Sequence, residues 1–104
     1  MGNALVRLVE GDGLSSGRLE AFIDGGWGGV CDDVFGDSDN GPNVVCRSLG
    51  FTRGTQGDAT SPTSDFAMDE VSCTGAETSL QQCTYIDASA EDCGASEAVL
   101  VSCF

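Results

Sequence analysis

Four aspartates, Asp32, Asp33, Asp37 and Asp39, crowd into the stretch GGWGGVCDDVFGDSDNGP directly after Cys31. Carboxylates held this close repel one another, and the residue type that gathers them with benefit is a hard cation's ligand set. Ca2+ in particular takes roughly six to eight oxygens, which can come from separate loops. The continuous form of such a site is absent. An EF-hand counted from Asp37 needs glycine at its sixth position and glutamate at its twelfth, and the chain has Pro42 and Ser48 there. A discontinuous site stays open. Asp37 and Asp39 stand just ahead of an expected helix, where negative charge complements the N-terminal dipole. Asp32 and Asp33, tethered at a cysteine, are the better ligand candidates.

Other chemistries fail on residue type. The chain has no histidine, which removes Ser–His and Cys–His nucleophile–base pairs. The glycine-rich stretches GDGLSSG and GGWGG match neither a phosphate loop nor a dinucleotide fingerprint. Two carboxylates can in principle serve a glycosidase, but that needs a cleft that so small a chain struggles to build. The chain reads as a non-enzyme.

Six cysteines, Cys31, Cys46, Cys73, Cys83, Cys93 and Cys103, follow the spacing C-x14-C-x26-C-x9-C-x9-C-x9-C. Without a CxxC pair or a histidine, structural zinc is disfavoured. An even cysteine count in a chain of 104 residues reads as three disulfides and an oxidising, extracellular setting. Spacing leaves the pairing open. Seventeen acidic residues face four arginines, for a net charge of -13. Such a surface excludes direct binding of nucleic acid and of anionic lipid, and makes divalent cations natural companions. No stretch is apolar enough for membrane insertion, and no secretory signal opens the chain. Residues 1–4 read as a linker or expression remnant, residues 5–104 as one domain, and a leader with neighbouring domains is expected in the parent protein.

The elements that must position these residues are short. ALVRLVEG (4–11) reads as a strand. RLEAFID (18–24) places Leu19, Ala21 and Ile23 on one face, with Glu20 and Phe22 on the other, and GGWGGVC completes an antiparallel meander. GPNVVCRSLGF carries Pro42 at a first helical position, Val45, Cys46 and Leu49 at helical spacing and Gly50 as a stop. Residues 52–65 read as a long surface loop. FAMDEVSC (66–73) reads as a strand packing through Phe66, Met68 and Val71, ETSLQQC as a helical turn, YIDASAEDCGASE as a loop and AVLVSCF as a buried final strand.

The blocks VRLVEGDGLSSGRLEAFIDGGWGGVCDD, VVCRSLGF, MDEVSCTGAETSLQQC and CGASEAVLVSC resemble, in order, those of a scavenger receptor cysteine-rich domain, group A-like with six cysteines. The likeness runs from about Val6 to Cys103. It implies an α+β fold, a curved, mostly antiparallel sheet cradling one short helix, with long loops. It also implies the pairings Cys31–Cys93, Cys46–Cys103 and Cys73–Cys83.

By the same resemblance the chain is a non-catalytic, extracellular recognition module, secreted or part of a receptor ectodomain. Several such domains hold Ca2+ through two aspartates after the first cysteine and a glutamate beyond the fifth, here Asp32, Asp33 and Glu97. A second family site points to Asp69 and Glu70. The implied partners are anionic microbial or host ligands, as in innate immunity, or a protein partner. A metal-independent protein–protein domain of a larger receptor or secreted protease is the alternative. The chain departs from the pattern at Phe35, where tryptophan is usual, at Ala98 in place of aspartate, and in YIDASAED before the fifth cysteine.

Overall fold

The computed structural model describes residues 5–9, 15–23, 25–31, 35, 38–58, 66–87 and 98–104. Its elements are β1 (Val6–Val9), β2 (Ser16–Ile23), β3 (Gly26–Val30), α1 (Asn40–Ser48), β4 (Gly54–Asp58), β5 (Phe66–Ser72), a 3-10 turn (Leu80–Gln82), β6 (Thr84–Asp87) and β7 (Val99–Cys103). This is the expected α+β architecture, with a curved sheet around one helix.

β2 organises the sheet. Arg18 pairs with Val9 of β1 and with Leu100 of β7, and Ala21 pairs with Val6 of β1 and Gly28 of β3. A strand residue has two edges, so β1 holds one edge of β2 while β3 and β7 occupy successive stretches of the other. β4 adds to β7 antiparallel, β5 to β3 in parallel, and β6 to β5 antiparallel. The β1–β2–β3 meander read from the sequence is therefore present, with β7 inserted along the edge that β3 leaves.

Period-2 alternation drives burial. Leu19 and Ala21 on β2, and Val99 and Val101 on β7, are fully enclosed, while Phe22 faces out. In β5 the spacing is odd: Met68 and Val71, three residues apart, are both buried. The reason is backbone. Glu70 adopts φ 52°, in the left-handed region, and the β5–β6 register shifts between Asp69 and Ser72, which turns Val71 back inward. Phe66 is only half-buried.

The helix starts two residues before the expected position, at Asn40, with Asp39 as the flanking residue. Pro42 is thus inside the first turn rather than at its first position, where its missing N–H is still no loss. Asp39 is placed to complement the dipole, as anticipated, but its side chain makes no capping hydrogen bond. The C-terminus is the one expected. Gly50, at φ 97°, donates to the Arg47 carbonyl at 3.1 Å, and Phe51 donates to the Cys46 carbonyl at 2.9 Å. That pair of bonds is a Schellman closure, satisfying carbonyls the helix would otherwise leave open.

Two expectations fail. Residues 54–58, read as part of a loop, form β4, and residues 84–87, of which 85–87 opened a supposed loop, form β6. GTQGD lacks strand composition, and TYID, though its Thr84, Tyr85 and Ile86 favour strands, is too short a run to stand out. Each is a strand because its neighbour offers a ladder of backbone partners: all five β4 residues, Gly54 to Asp58, pair with β7.

Two of the three disulfides are seen as implied, Cys46–Cys103 and Cys73–Cys83. The third pairing has Cys93, which lies outside the described residues; Cys31 is itself disulfide-bonded and buried. Sequence separations of 57 and 10 correspond, in the chain-entropy account, to about 4 and about 3 kcal/mol of constraint on the unfolded state. Cys46–Cys103 ties α1 to β7, and Gly54 lies against it. A Cβ at Gly54 would meet Cys46 Sγ and stand 2.8 Å from the Pro42 carbonyl oxygen. Asn43 Oδ1 also accepts the Gly54 N–H at 2.9 Å, so the segment cannot move aside freely. Gly54→Ala is expected to lower stability by about 1–3 kcal/mol, the usual penalty for overpacking. Urea melts check this, and an unchanged midpoint would show that β4 yields more easily than its contacts imply.

Candidate cation site

The place where β3 and β7 meet on the edge of β2 is a single residue, Cys31. It is fully buried, forms an isolated antiparallel bridge with Ala98, and donates its N–H to the Met68 carbonyl at 3.0 Å. Three chain segments therefore converge on one backbone position. Asp32 follows Cys31 in sequence, Glu97 precedes Ala98, and Asp69 follows Met68. Asp32, Asp33, Glu97 and the Asp37 of the same loop lie outside the described residues, so the structure gives their frame.

Asp69 and Glu70 are described, and they point apart. Asp69 is 1% exposed. Its Oδ1 accepts the Glu70 N–H at 2.7 Å. Glu70 is exposed, because its positive φ swings it off the line of the strand. A buried carboxylate keeps its charge only against compensating groups, so Asp69 is the more constrained of the two.

The arginines show where positive charge is spent. Arg7 and Arg18 both reach Glu20, at 2.7 and 3.2 Å. Arg7 also lies 4.3 Å from the Trp27 ring centre, and Trp27 meets Phe22 edge to face at 5.3 Å. Arg47 donates to the Gly75 carbonyl, and Arg53 stacks 4.7 Å from the Phe104 ring centre. The outer cluster Arg7–Glu20–Phe22–Trp27 was only half anticipated. Glu20 and Phe22 were expected on the outer face, but Arg7 and Trp27 join them through cross-strand register, Arg7 opposite Glu20 and Phe22 opposite Trp27.

A second group of donor atoms went unnoticed in the sequence. The sulfurs of Cys73 and Cys83 and a Glu77 carboxylate oxygen lie within 4.8 Å of one another. The sulfurs are joined as a disulfide, so this oxidised loop offers no thiolate to a metal. Glu77 has a different duty here. Its carboxylate accepts the N–H of Thr74, at 3.0 Å, and of Gly75, also at 3.0 Å, closing the turn between them.

A match to the scavenger receptor cysteine-rich domain family covers residues 9–104. The chain belongs to that family. Its fold resembles the third SRCR domain of murine neurotrypsin, at TM-score 0.79 and 34% identity over 94% of each chain. It likewise resembles the SRCR domain of mouse MARCO, seen in a dimeric form, at TM-score 0.77 and 31% identity over 94% of this chain and 93% of that one. In sequence it is 40% identical over 96 residues to galectin-3-binding proteins of Rattus norvegicus and Mesocricetus auratus, matching 86% of this chain. It spans only 16% of those proteins' length. Domains of this family are typically extracellular protein-interaction modules. Among the described residues no helix is long and apolar enough to cross a membrane.

The hydrogen bond from the Thr74 N–H is the main reason the Glu77 carboxyl titrates below its ordinary 4.5, with the Gly75 N–H assisting. A depressed folded value means that the contribution is full above 4.5 and is lost as pH falls through the lower folded value. Glu77→Gln should therefore cost stability by a constant amount at neutral pH, and the gap from the parent should close in more acidic buffer. Urea melts across pH test this; a gap that stays constant to the acid limit would contradict it.

Proposed function

We propose that the chain is an extracellular, non-catalytic recognition module that binds Ca2+ through Asp32, Asp33 and Glu97. The observation that carries this reading is the Cys31–Ala98 bridge. The bridge joins the two segments that carry the acidic residues: Asp32 follows Cys31 in sequence, and Glu97 precedes Ala98. Asp33 follows one residue on. Charge supports the same reading. With 17 acidic residues and four arginines, the chain is short of internal counter-charge. Arg7, Arg47 and Arg53 are engaged with Glu20, with the Gly75 carbonyl and with Phe104.

Of the second pair, Asp69 is the better placed for a cation, adjoining the first site through the Cys31–Met68 hydrogen bond, while Glu70 faces away from it. Bound Ca2+ neutralises the cluster and keeps coordination positions for the carboxylate, sulfate or phosphate groups of an anionic microbial or host ligand. A secreted protein or receptor ectodomain is the setting this implies.

A second reading rests on the outer face of β1–β2–β3, where Leu5, Phe22 and Trp27 are all more than a third exposed. An apolar patch of this kind suits a protein partner and needs no metal. The galectin-3-binding proteins are relatives named for such a partner. Partner binding that survives EDTA and fails in Trp27→Ala would favour this reading over the first.

Calorimetric titration with Ca2+ separates them. Saturable heat is expected, with a dissociation constant on the order of 0.1–1 mM, as for other extracellular calcium modules, and with a matching rise in melting temperature. Asp33→Ala should abolish both. Absence of heat and of thermal stabilisation at millimolar Ca2+ would sink the calcium reading.

A further inference from the structure

The loop between β5 and β6 holds its three donor atoms in place by means other than its disulfide. Ser72 pairs with Thr84, closing the neck of the loop. Asn40 Nδ2 donates to the Cys73 carbonyl at 3.2 Å, and Arg47 donates to the Gly75 carbonyl, so α1 grips the loop at two points. The N–H groups of Thr74 and Gly75 fix the Glu77 carboxylate, and the Cys83 N–H donates to the Leu80 carbonyl at 3.0 Å. None of these interactions is made by the sulfur–sulfur bond.

We propose that reduction of Cys73–Cys83 by a dithiol turns this loop into a site for a zinc-class ion, with Cys73 Sγ, Cys83 Sγ and the Glu77 carboxylate as ligands. The disulfide takes two electrons and two protons from the dithiol, which is itself oxidised to a disulfide. The incoming divalent ion displaces the two thiol protons and binds both thiolates and the carboxylate, with water in the fourth position. Two sulfurs and an oxygen suit tetrahedral zinc, and thiolates select against Ca2+. This site is therefore chemically separate from the oxygen-only site at Cys31.

Exposure favours attack at Cys73: it is half-buried, whereas the other described cysteines, Cys31, Cys46, Cys83 and Cys103, are buried. The Cys73–Cys83 bond's sequence separation of 10, against 57 for Cys46–Cys103, makes its release the smaller loss of constraint. An open groove of about 410 Å3, lined in part by Arg47, Gly75 and Glu77, adjoins the same loop.

The test uses the full chain, reduced with graded dithiothreitol under nitrogen, freed of reductant and titrated with Cd2+. Two thiols should appear before the rest, with the far-ultraviolet dichroism unchanged. Cd2+ should then raise a thiolate-to-metal charge-transfer band that saturates at one ion per chain. Glu77→Gln should leave the thiol count alone and weaken Cd2+ binding on the order of 10- to 100-fold, the range for lost metal-site partners. The Cys73→Ser, Cys83→Ser double variant should show no band, but it can fail to fold, so Glu77→Gln is the deciding comparison. Release of four or six thiols together would overturn the proposal. So would two free thiols with no charge-transfer band, or equal Cd2+ affinity in Glu77→Gln.

Discussion

The junction at Cys31 is the constraint on which the rest of the fold depends. β2 offers one edge to two strands in succession, and those strands must hand over without leaving buried backbone groups unpaired. Cys31 makes the handover: it bridges Ala98 at the start of β7 and donates to Met68 in β5. An unpaired amide at so enclosed a position would cost about 1–3 kcal/mol, so the geometry around Cys31 is tightly specified. Burial of a small side chain there suits the crossing, and its disulfide adds a covalent tie.

Function follows from what this junction does to its neighbours in sequence. The segment after Cys31, the segment before Ala98 and the segment after Met68 are the acidic ones, CDD, ASE and DE. A scaffold that brings three strands to one point brings together the backbone next to these acidic segments, and the proposed cation site rests on that. Their repulsion is the cost of the arrangement, and a divalent cation is the compensation that a chain with four arginines can recruit. On this proposal the sheet junction and the cation site are one feature, in which the acidic side chains next to the backbone pairing supply the charge.

How much of this was legible depended on how local the determinants were. Alternation exposed β2 and its inward Leu19 and Ala21, and Gly50 marked the end of α1, because each rests on a few adjacent residues. β4 was hidden, since GTQGD becomes a strand only against β7, and β6 was hidden because TYID is a short run leading into a polar segment. The inward turn of Val71 was hidden for a similar reason: nothing in FAMDEVS announces that Glu70 takes a positive φ. The disulfide pairings came from resemblance, as spacing left them open. The proposed calcium ligands came the same way, and what the structure adds is the Cys31–Ala98 pairing next to their segments. The Cys73–Glu77–Cys83 grouping was invisible because it depends on a turn closed by Glu77's own hydrogen bonds.

The central claim is that Asp32 and Glu97, far apart in sequence, share one ion. A crystal structure grown in millimolar Ca2+ tests it most directly. The account predicts a single ion with carboxylate oxygens of both Asp32 and Glu97 at about 2.3–2.6 Å, the usual calcium–oxygen range. An ion bound elsewhere while the two carboxylates face apart would contradict it.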